Sequence, residues 1–234
     1  MKRRAIILAG GKGSRLRPYT VVLPKPLMPI GEYPILEVVV RQLINNGFDH
    51  ITMAVNHQAS LITAFFGDGS KWGIKIDYYK ESIPLGTMGP LKNIYDLPED
   101  FLVMNGDVLT DLDFSVFYET HKSSKVKFTI CSKERIQKID YGVLESDENG
   151  FLKSFSEKPE NKYLVSMGIY MVNKNILSNI PRSFYGFDDL MLDLLRNREG
   201  VKLYKFSGYW LDIGRPDDYM KAIEDFENKR NQLL

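Results

Sequence analysis

Leu8-Ala9-Gly10-Gly11-Lys12-Gly13-Ser14-Arg15-Leu16-Arg17-Pro18, followed by Pro24-Lys25-Pro26, is the stretch on which the reading of this chain turns. Residues 4–8 lead into it as a short apolar run, the pattern of a buried strand. Three glycines then fall within four residues, where backbone can approach a ligand that a Cβ would push away. Successive N–H groups exposed in such a turn make an anion nest. Arg15 and Lys25 add charges suited to phosphate oxygens, Arg as a fork and Lys as a point charge. Strand, glycine loop and cations together point to a polyphosphate site. The plain alternative is an ordinary strand-to-loop turn.

Two better-known loops do not fit. The Walker pattern needs Gly, four residues, then Gly-Lys-Ser/Thr, and no such run exists here. The dinucleotide fingerprint needs a third glycine where Leu16 stands and a helix directly after it. Pro18, Pro24 and Pro26 oppose that helix. A nicotinamide-dependent oxidoreductase is therefore not expected.

The stretch resembles the signature of the sugar-1-phosphate nucleotidyltransferases, or NDP-sugar pyrophosphorylases: Leu-Ala-Gly-Gly-x-Gly-Thr-Arg-Leu, a Pro, a Thr, then Pro-Lys-Pro. Ser14 replaces the usual Thr and keeps a hydroxyl, and the resemblance continues as far as Tyr219. It implies a fold of the nucleotide-diphospho-sugar transferase type. It also implies an enzyme that condenses an NTP with a sugar 1-phosphate, giving an NDP-sugar for polysaccharide biosynthesis, and pyrophosphate. By the same resemblance Leu8, Ala9, Gly10, Gly11, Gly13, Ser14 and Arg15 bind the nucleotide, and Arg15 and Lys25 serve catalysis.

Composition narrows the class. The 234 residues are 44% hydrophobic and 26% charged, ample for a core and ordinary for a soluble protein, and one domain spanning 1–234 is expected. A formal charge of +1 gives no reason to expect nucleic acid or an anionic membrane as partner. No stretch approaches the ~20 apolar residues of a membrane span, and the N-terminal apolar run is too short for a signal peptide. The sole cysteine, Cys131, cannot form an internal disulfide and ends an apolar run. A buried thiol and a cytoplasmic setting are expected.

Periodicity supplies the rest of the fold. Residues 35–46 put Leu36, Val39, Val40, Leu43 and Ile44 on one helix face, with Gly47 as the stop. Strands are read at 51–55, 74–79 and 101–104, and helices at 60–66 and 87–97. Such alternation implies a three-layer α/β fold, a mostly parallel sheet with helices on both faces. The second half adds antiparallel strands. Residues 143–145 and 151–155 flank Asp147-Glu148-Asn149-Gly150, and Asn-Gly is a hairpin signal. Strands at 168–172 and 201–206 and helices at 187–196 and 216–228 follow. Ligands in such sheets sit beyond the carboxyl ends of the strands, where the glycine loop and Asp107 both fall.

Asp107 follows a buried strand and Asn105-Gly106, a place suited to hold a hard cation against phosphate oxygens. Mg²⁺ prefers one or two carboxylates plus waters and phosphate; a turn-forming aspartate is the alternative. Asp212 lies in Trp210-Leu211-Asp212-Ile213-Gly214, with Pro216 and Tyr219 beyond, which resembles the motif closing the family's catalytic core. The family uses the positions matching Asp107 and Asp212 for Mg²⁺. Trp210 is read as a core aromatic.

The remaining matches concern substrate choice. Gly142, and Glu157 with Lys158 in Phe155-Ser156-Glu157-Lys158-Pro159, resemble the family's sugar-phosphate contacts. Charge alone would make Glu157 and Lys158 a solvated pair. Ser166 stands near a position where relatives often have an Asn on the sugar hydroxyls. Leu85-Gly86-Thr87-Met88-Gly89 resembles the base-reading segment, giving Gly86 and Thr87 to the nucleotide, and Met88 in place of a small residue is expected to narrow or reshape the pocket. Glu81 is spaced as in the mannose-1-phosphate guanylyltransferases. A carboxylate accepts from guanine N1–H and N2–H₂ or from the cytosine amino group, which tilts the base toward GTP, with CTP, UTP or dTTP as alternatives. A non-catalytic nucleotide-sugar sensor is the alternative of another class. It would lack Arg15, Lys25, Asp107 or Asp212, and all four are present. His50, His57 and His121 lack metal-ligand spacing, so surface or turn roles are expected. Only a short tail follows the closing motif, so the β-helix or extra helices of many relatives are not expected, and a homo-oligomer stays open.

Overall fold

Ala5, Ile6 and Ile7 are fully buried in β1 (Arg3–Leu8), the strand expected ahead of the glycine loop. The computed structural model describes residues 3–234. From β1 the chain passes through β2 (Pro29–Ile30), β3 (Tyr33–Pro34), α1 (Ile35–Asn45), β4 (Phe48–Val55), α2 (Ala59–Phe66) and β5 (Lys75–Lys80). It continues through β6 (Asp100–Asn105), β7 (Val108–Thr110), α3 (Phe114–Ser124), β8 (Phe128–Lys138), β9 (Gly142–Ser146), β10 (Leu152–Glu157) and β11 (Glu160–Asn173). It closes with α4 (Phe187–Arg196), β12 (Val201–Lys205), β13 (Trp210–Asp212) and α5 (Pro216–Leu233).

Seven strands form the main sheet in the order β12-β8-β11-β6-β1-β4-β5. β11 runs antiparallel to both its neighbours, β6 and β8, while every other pairing in this sheet is parallel. Strands covered on both faces read as continuous apolar runs, as β1, β4 and β6 do. One face packs α1, α2 and α3 through Leu36, Val40, Ile62, Phe66, Phe114 and Phe117. The other carries α4 and irregular segments through Leu91, Ile176, Leu190 and Leu194. α5 lies outside α1, packing Tyr219, Ala222 and Phe226 on Ile35 and Val38. That extra layer explains why α1 is buried nearly all round and not on one face only.

Three expectations need correction. The helix at 87–97 is one 3₁₀ segment, Gly89–Asn93, which Pro90 opens and a left-handed Asp96 (φ +57°) follows. The strand at 168–172 is the end of a fourteen-residue one, Glu160–Asn173, because its outer half is exposed and shows no burial period. His121 is buried, its ring nitrogens 2.7 Å from Thr129 Oγ1 and 3.3 Å from Asp100 Oδ1, and burial lowers its pKa. The turn at Asp147-Glu148-Asn149-Gly150 lies in a five-residue connection between β9 and β10. Only Gly150 there is left-handed, at φ +85°, and Asp147 Oδ1 accepts from Asn149 N and Phe151 N, both at 2.9 Å. Cys131 is buried, and burial pushes its thiol up to about 12. Among the described residues no helix is long and apolar enough to cross a membrane.

Candidate active site

β1, β4, β5 and β6 are mutually parallel, so their carboxyl ends share one edge of the sheet, and the residues there enclose a cleft of about 420 Å³. Leu8, Ala9, Gly10, Gly11 and Lys12 enter it from β1, Asn56 from β4, Glu81 from β5, and Asn105, Gly106 and Asp107 from β6. Of the loop's three glycines only Gly13 is left-handed, at φ +60°. A Cβ there would lie 2.9 Å from Thr20 Cγ2 and 3.2 Å from Lys25 Cβ, and Thr20 Oγ1 donates to Gly13 O at 2.8 Å. Gly13 thus lets the loop close on the segment that carries Lys25. Nothing lies within 4 Å of a Cβ placed on Gly11, which faces open space. Ser14–Leu16 form a 3₁₀ turn that buries Leu16 and leaves Arg15 exposed, its Nη2 3.5 Å from a Cβ placed on Gly214.

Lys25 Nζ donates to Asp107 Oδ2 in a tight ion pair. The other oxygen, Asp107 Oδ1, is buried without a hydrogen-bond partner. An unpartnered buried acceptor costs about 1–3 kcal/mol, more when charged. Asp212 reaches this corner on β13, opposite Val108 of β7, and Ile213 N donates to Asp107 O at 3.1 Å. The Asp212 carboxyl opens to solvent on one side, yet the walls around it, and next the Asp107 charge, hold its pKa above the ordinary value; Lys25 and Arg15 oppose them. Two neighbouring carboxylates, one with an orphaned oxygen, are a donor set that a hard divalent cation fits. Among the described residues no group of three or more histidine, cysteine, aspartate or glutamate side chains gathers as a metal site.

At the far end, Glu81 Oε2 accepts from Leu85 N at 3.1 Å, and burial holds its carboxyl above the ordinary range. The following segment is strapped to residues 185–187. Met88 N and Gly89 N donate to Tyr185 O, both at 3.1 Å, Tyr185 N donates to Leu85 O at 2.9 Å, and Phe187 N donates to Thr87 Oγ1 at 2.7 Å. Gly86, at φ +79°, would set a Cβ 2.6 Å from Tyr185 O. Met88 turns into the core, fully buried, and does not line the cleft, so it does not narrow the pocket. The strap instead presents Phe184, 67% exposed, on the cleft wall beside Pro84, Gly86 and Thr87.

The residues read as sugar-phosphate contacts are grouped apart from this lining. Gly142 and Glu157 are cross-strand partners on the β9–β10 hairpin, followed by an exposed, left-handed Lys158 at φ +45°. Ser166 lies at a bulge of β11, where its Oγ accepts from Gly168 N at 3.2 Å. Gly168, at φ +72°, abuts Asn105, whose Nδ2 would lie 2.6 Å from a Cβ there. Trp210 is half-buried and more than core filling: its Nε1 donates to Met167 O at 3.0 Å and pins the bulge. Asn56, Asn105 and Phe184 line the cleft without having been singled out by their local sequence. The two asparagines stand at the carboxyl ends of parallel strands, and that position is the signal that finds them; Phe184 carries no local signal.

A family model described as "Nucleotidyl transferase" matches residues 4–229. A UTP–glucose-1-phosphate uridylyltransferase of Synechocystis is 34% identical, covering 94% of this chain and 62% of that protein. A mannose-1-phosphate guanylyltransferase of Mycobacterium tuberculosis is 31% identical, covering 94% and 64%. The chain thus spans a little under two thirds of these relatives' length. The crystal structure of HddC from Yersinia pseudotuberculosis complexed with GMP-PN superposes with a TM-score of 0.74 at 30% identity, over 96% of this chain and 99% of that one. With the family pattern running almost end to end, and the glycine loop, Lys25 and Asp107 gathered in one cleft, the chain belongs to the nucleotidyl transferase family.

Proposed function

We propose that the chain transfers the nucleotidyl group of an NTP to a sugar 1-phosphate, giving an NDP-sugar and pyrophosphate. The observation that carries this reading is the corner where Lys25 meets Asp107, beneath the glycine loop and beside Asp212. An oxygen of the sugar phosphate attacks the α-phosphorus, and pyrophosphate leaves in line. The attacking phosphate is already anionic, so the protein needs no nucleophile and contributes positioning and charge. Gly10, Gly11, Gly13 and Ser14 offer backbone N–H groups to the triphosphate, Gly11 with open space beside it, and Leu8 and Ala9 form the floor. Arg15 neutralises the departing pyrophosphate. Lys25 has three donors, so it can touch the α-phosphate while keeping Asp107. Asp107 and Asp212 would hold Mg²⁺, which supplies positive charge to the phosphate oxygens.

Glu81 reads the base, with Gly86 and Thr87 on the nucleoside and Phe184 and Pro84 as its apolar wall. Two N–H groups of guanine suit a carboxylate that burial has left short of donors, which favours GTP. The guanylyltransferase names among the relatives and the GMP-PN complex of HddC support the same base. UTP is the second reading, because the 34% identical relative is a uridylyltransferase by name. Gly142, Glu157, Lys158 and Ser166 form the sugar-phosphate side. The cytoplasm would keep the buried Cys131 reduced. A pyrophosphate-release assay crossing the common NTPs with a panel of sugar 1-phosphates tests the reading. GTP with one of the sugar 1-phosphates is expected to lead, and no release with any pair would overturn it.

A further inference from the structure

Leu8, Asn56, Glu81 and Asn105 stand at the carboxyl ends of four parallel strands and line one cleft. The strand order β11-β6-β1-β4-β5, with about 4.8 Å between neighbours, sets a direction across that edge. In the proposed transfer the base meets Glu81 at the β5 end, and the phosphates meet the glycine loop after β1. The sugar then lies on the other side of β1, toward β6 and β11. Asn105 on β6 and Ser166 on β11 are the polar side chains that this direction reaches next.

Ser166 is already engaged. Its Oγ donates to Tyr170 OH at 3.1 Å and accepts from Gly168 N at 3.2 Å, which leaves it one lone pair and no proton. Among the described residues nothing hydrogen-bonds the Asn105 carboxamide. The backbone nevertheless fixes its place. β11 pairs Ile169 with Met104, so Gly168 falls opposite Asn105, where Nδ2 would lie 2.6 Å from a Cβ on that glycine. A glycine at φ +72° therefore makes the room in which the carboxamide sits, and Trp210 Nε1 holds the bulge through Met167 O at 3.0 Å. Asp107 follows two positions later, so Asn105 stands where the sugar joins its phosphate. That phosphate already has Lys25 and the cation that Asp107 and Asp212 would hold. A neutral carboxamide both donates and accepts, as a hydroxyl does, whereas an ionised phosphate oxygen only accepts. We propose that the Asn105 carboxamide reads the sugar hydroxyl on the carbon next to the phosphorylated one, an assignment that rests on the transferase reading and deepens it.

The probes are α-D-mannose 1-phosphate and α-D-glucose 1-phosphate, which differ only in the configuration of that hydroxyl, and 2-deoxy-α-D-glucose 1-phosphate, the deoxy form of both. With GTP and Mg²⁺ the wild type is expected to favour the better epimer over the deoxy sugar by about tenfold or more in kcat/KM, since a site built for a hydroxyl is left unpaired without it. Asn105→Ala should bring that ratio to within about twofold and leave KM for GTP where it was, because only the hydroxyl contact is gone. Ser166→Ala should keep the ratio. Equilibrium dialysis of the same sugars against the full chain repeats the comparison without turnover. A binding preference that Asn105→Ala removes, in a chain that releases no pyrophosphate, would sink the transferase reading and still support Asn105. A wild type indifferent to the hydroxyl, or a preference that survives Asn105→Ala or disappears in Ser166→Ala, would overturn the assignment.

Discussion

Asp107 and Lys25 are the pair on which most of the chemistry rests, and each yields a distinct expectation. Asp107→Asn and Asp212→Asn should each abolish turnover in a folded protein, since both remove charge that a divalent cation needs, a loss of several kcal/mol. Near wild-type rates with Mg²⁺ in either variant would contradict the metal assignment. Lys25→Ala should lower kcat by a factor of about 10²–10³, as removal of one preorganised charge does; a change confined to KM would mean that it binds ground and transition states alike. Asp212 carries a raised pKa, so the folded chain keeps that proton to higher pH than the unfolded chain. Its contribution to stability is full below the ordinary aspartate pKa and is lost as pH rises through the raised one. A cation binds only the ionised pair, so Mg²⁺ should raise Tm more at neutral pH than near the ordinary aspartate pKa. Equal shifts at both would contradict it. Phe184→Ala should weaken GTP several-fold and leave inorganic tripolyphosphate, which has no base, unchanged; equal weakening of both would remove Phe184 from the base. The types of Lys25 and Asp107 were legible because local neighbours announced them. The encounter of Asp212 with Asp107 was not legible from any local pattern and was expected only through the resemblance, since they stand 105 positions apart and β13 pairing with β7 brings them together. Nor was the direction of Met88, which depends on a strap near residue 185.

That strap belongs to the scale of elements. Gly86→Ala would force a left-handed φ on alanine and drive its Cβ to 2.6 Å from Tyr185 O. A loss of about 1–3 kcal/mol in urea unfolding, with a raised KM for NTP, is expected. Unchanged stability would mean that residues 85–89 and 185–187 move independently. Elements with a strong burial period were legible: β1, α1 and α4 lie where apolar spacing put them, since each has a face to hide. The 87–97 segment misled because its apolar residues fill gaps under the sheet without a helix to space them. In α1 the spacing showed one face, while Ile35 and Val38 lie outside it and are covered by α5. The buried Arg4 and His121 show the same limit. Their partners, Tyr95 O and Thr129 Oγ1 among them, are set by tertiary contact and leave no periodic trace.

For the whole molecule, alternation of apolar runs and amphipathic stretches was enough to give a mostly parallel sheet, because each βαβ unit must cover both its faces. Strand order was out of reach, above all the insertion of antiparallel β11 between β6 and β8. The β9–β10 hairpin was legible from its Asn-Gly turn, whereas the exposed outer halves of β8 and β11 have no burial pattern to read. The sheet's shared carboxyl edge is what brings Asn56, Glu81, Asn105 and Asp107 together from separate strands, and it carries the central claim that this cleft transfers a nucleotidyl group. The most direct measurement tracks the label of GTP carrying ³²P at the α or the γ position, with Mg²⁺ and the best sugar 1-phosphate of the panel. α-Label should appear in a sugar nucleotide and γ-label in pyrophosphate, with both transfers lost in Asp107→Asn. Release of γ-label as inorganic phosphate alone, or α-label that never reaches the sugar, would contradict the account.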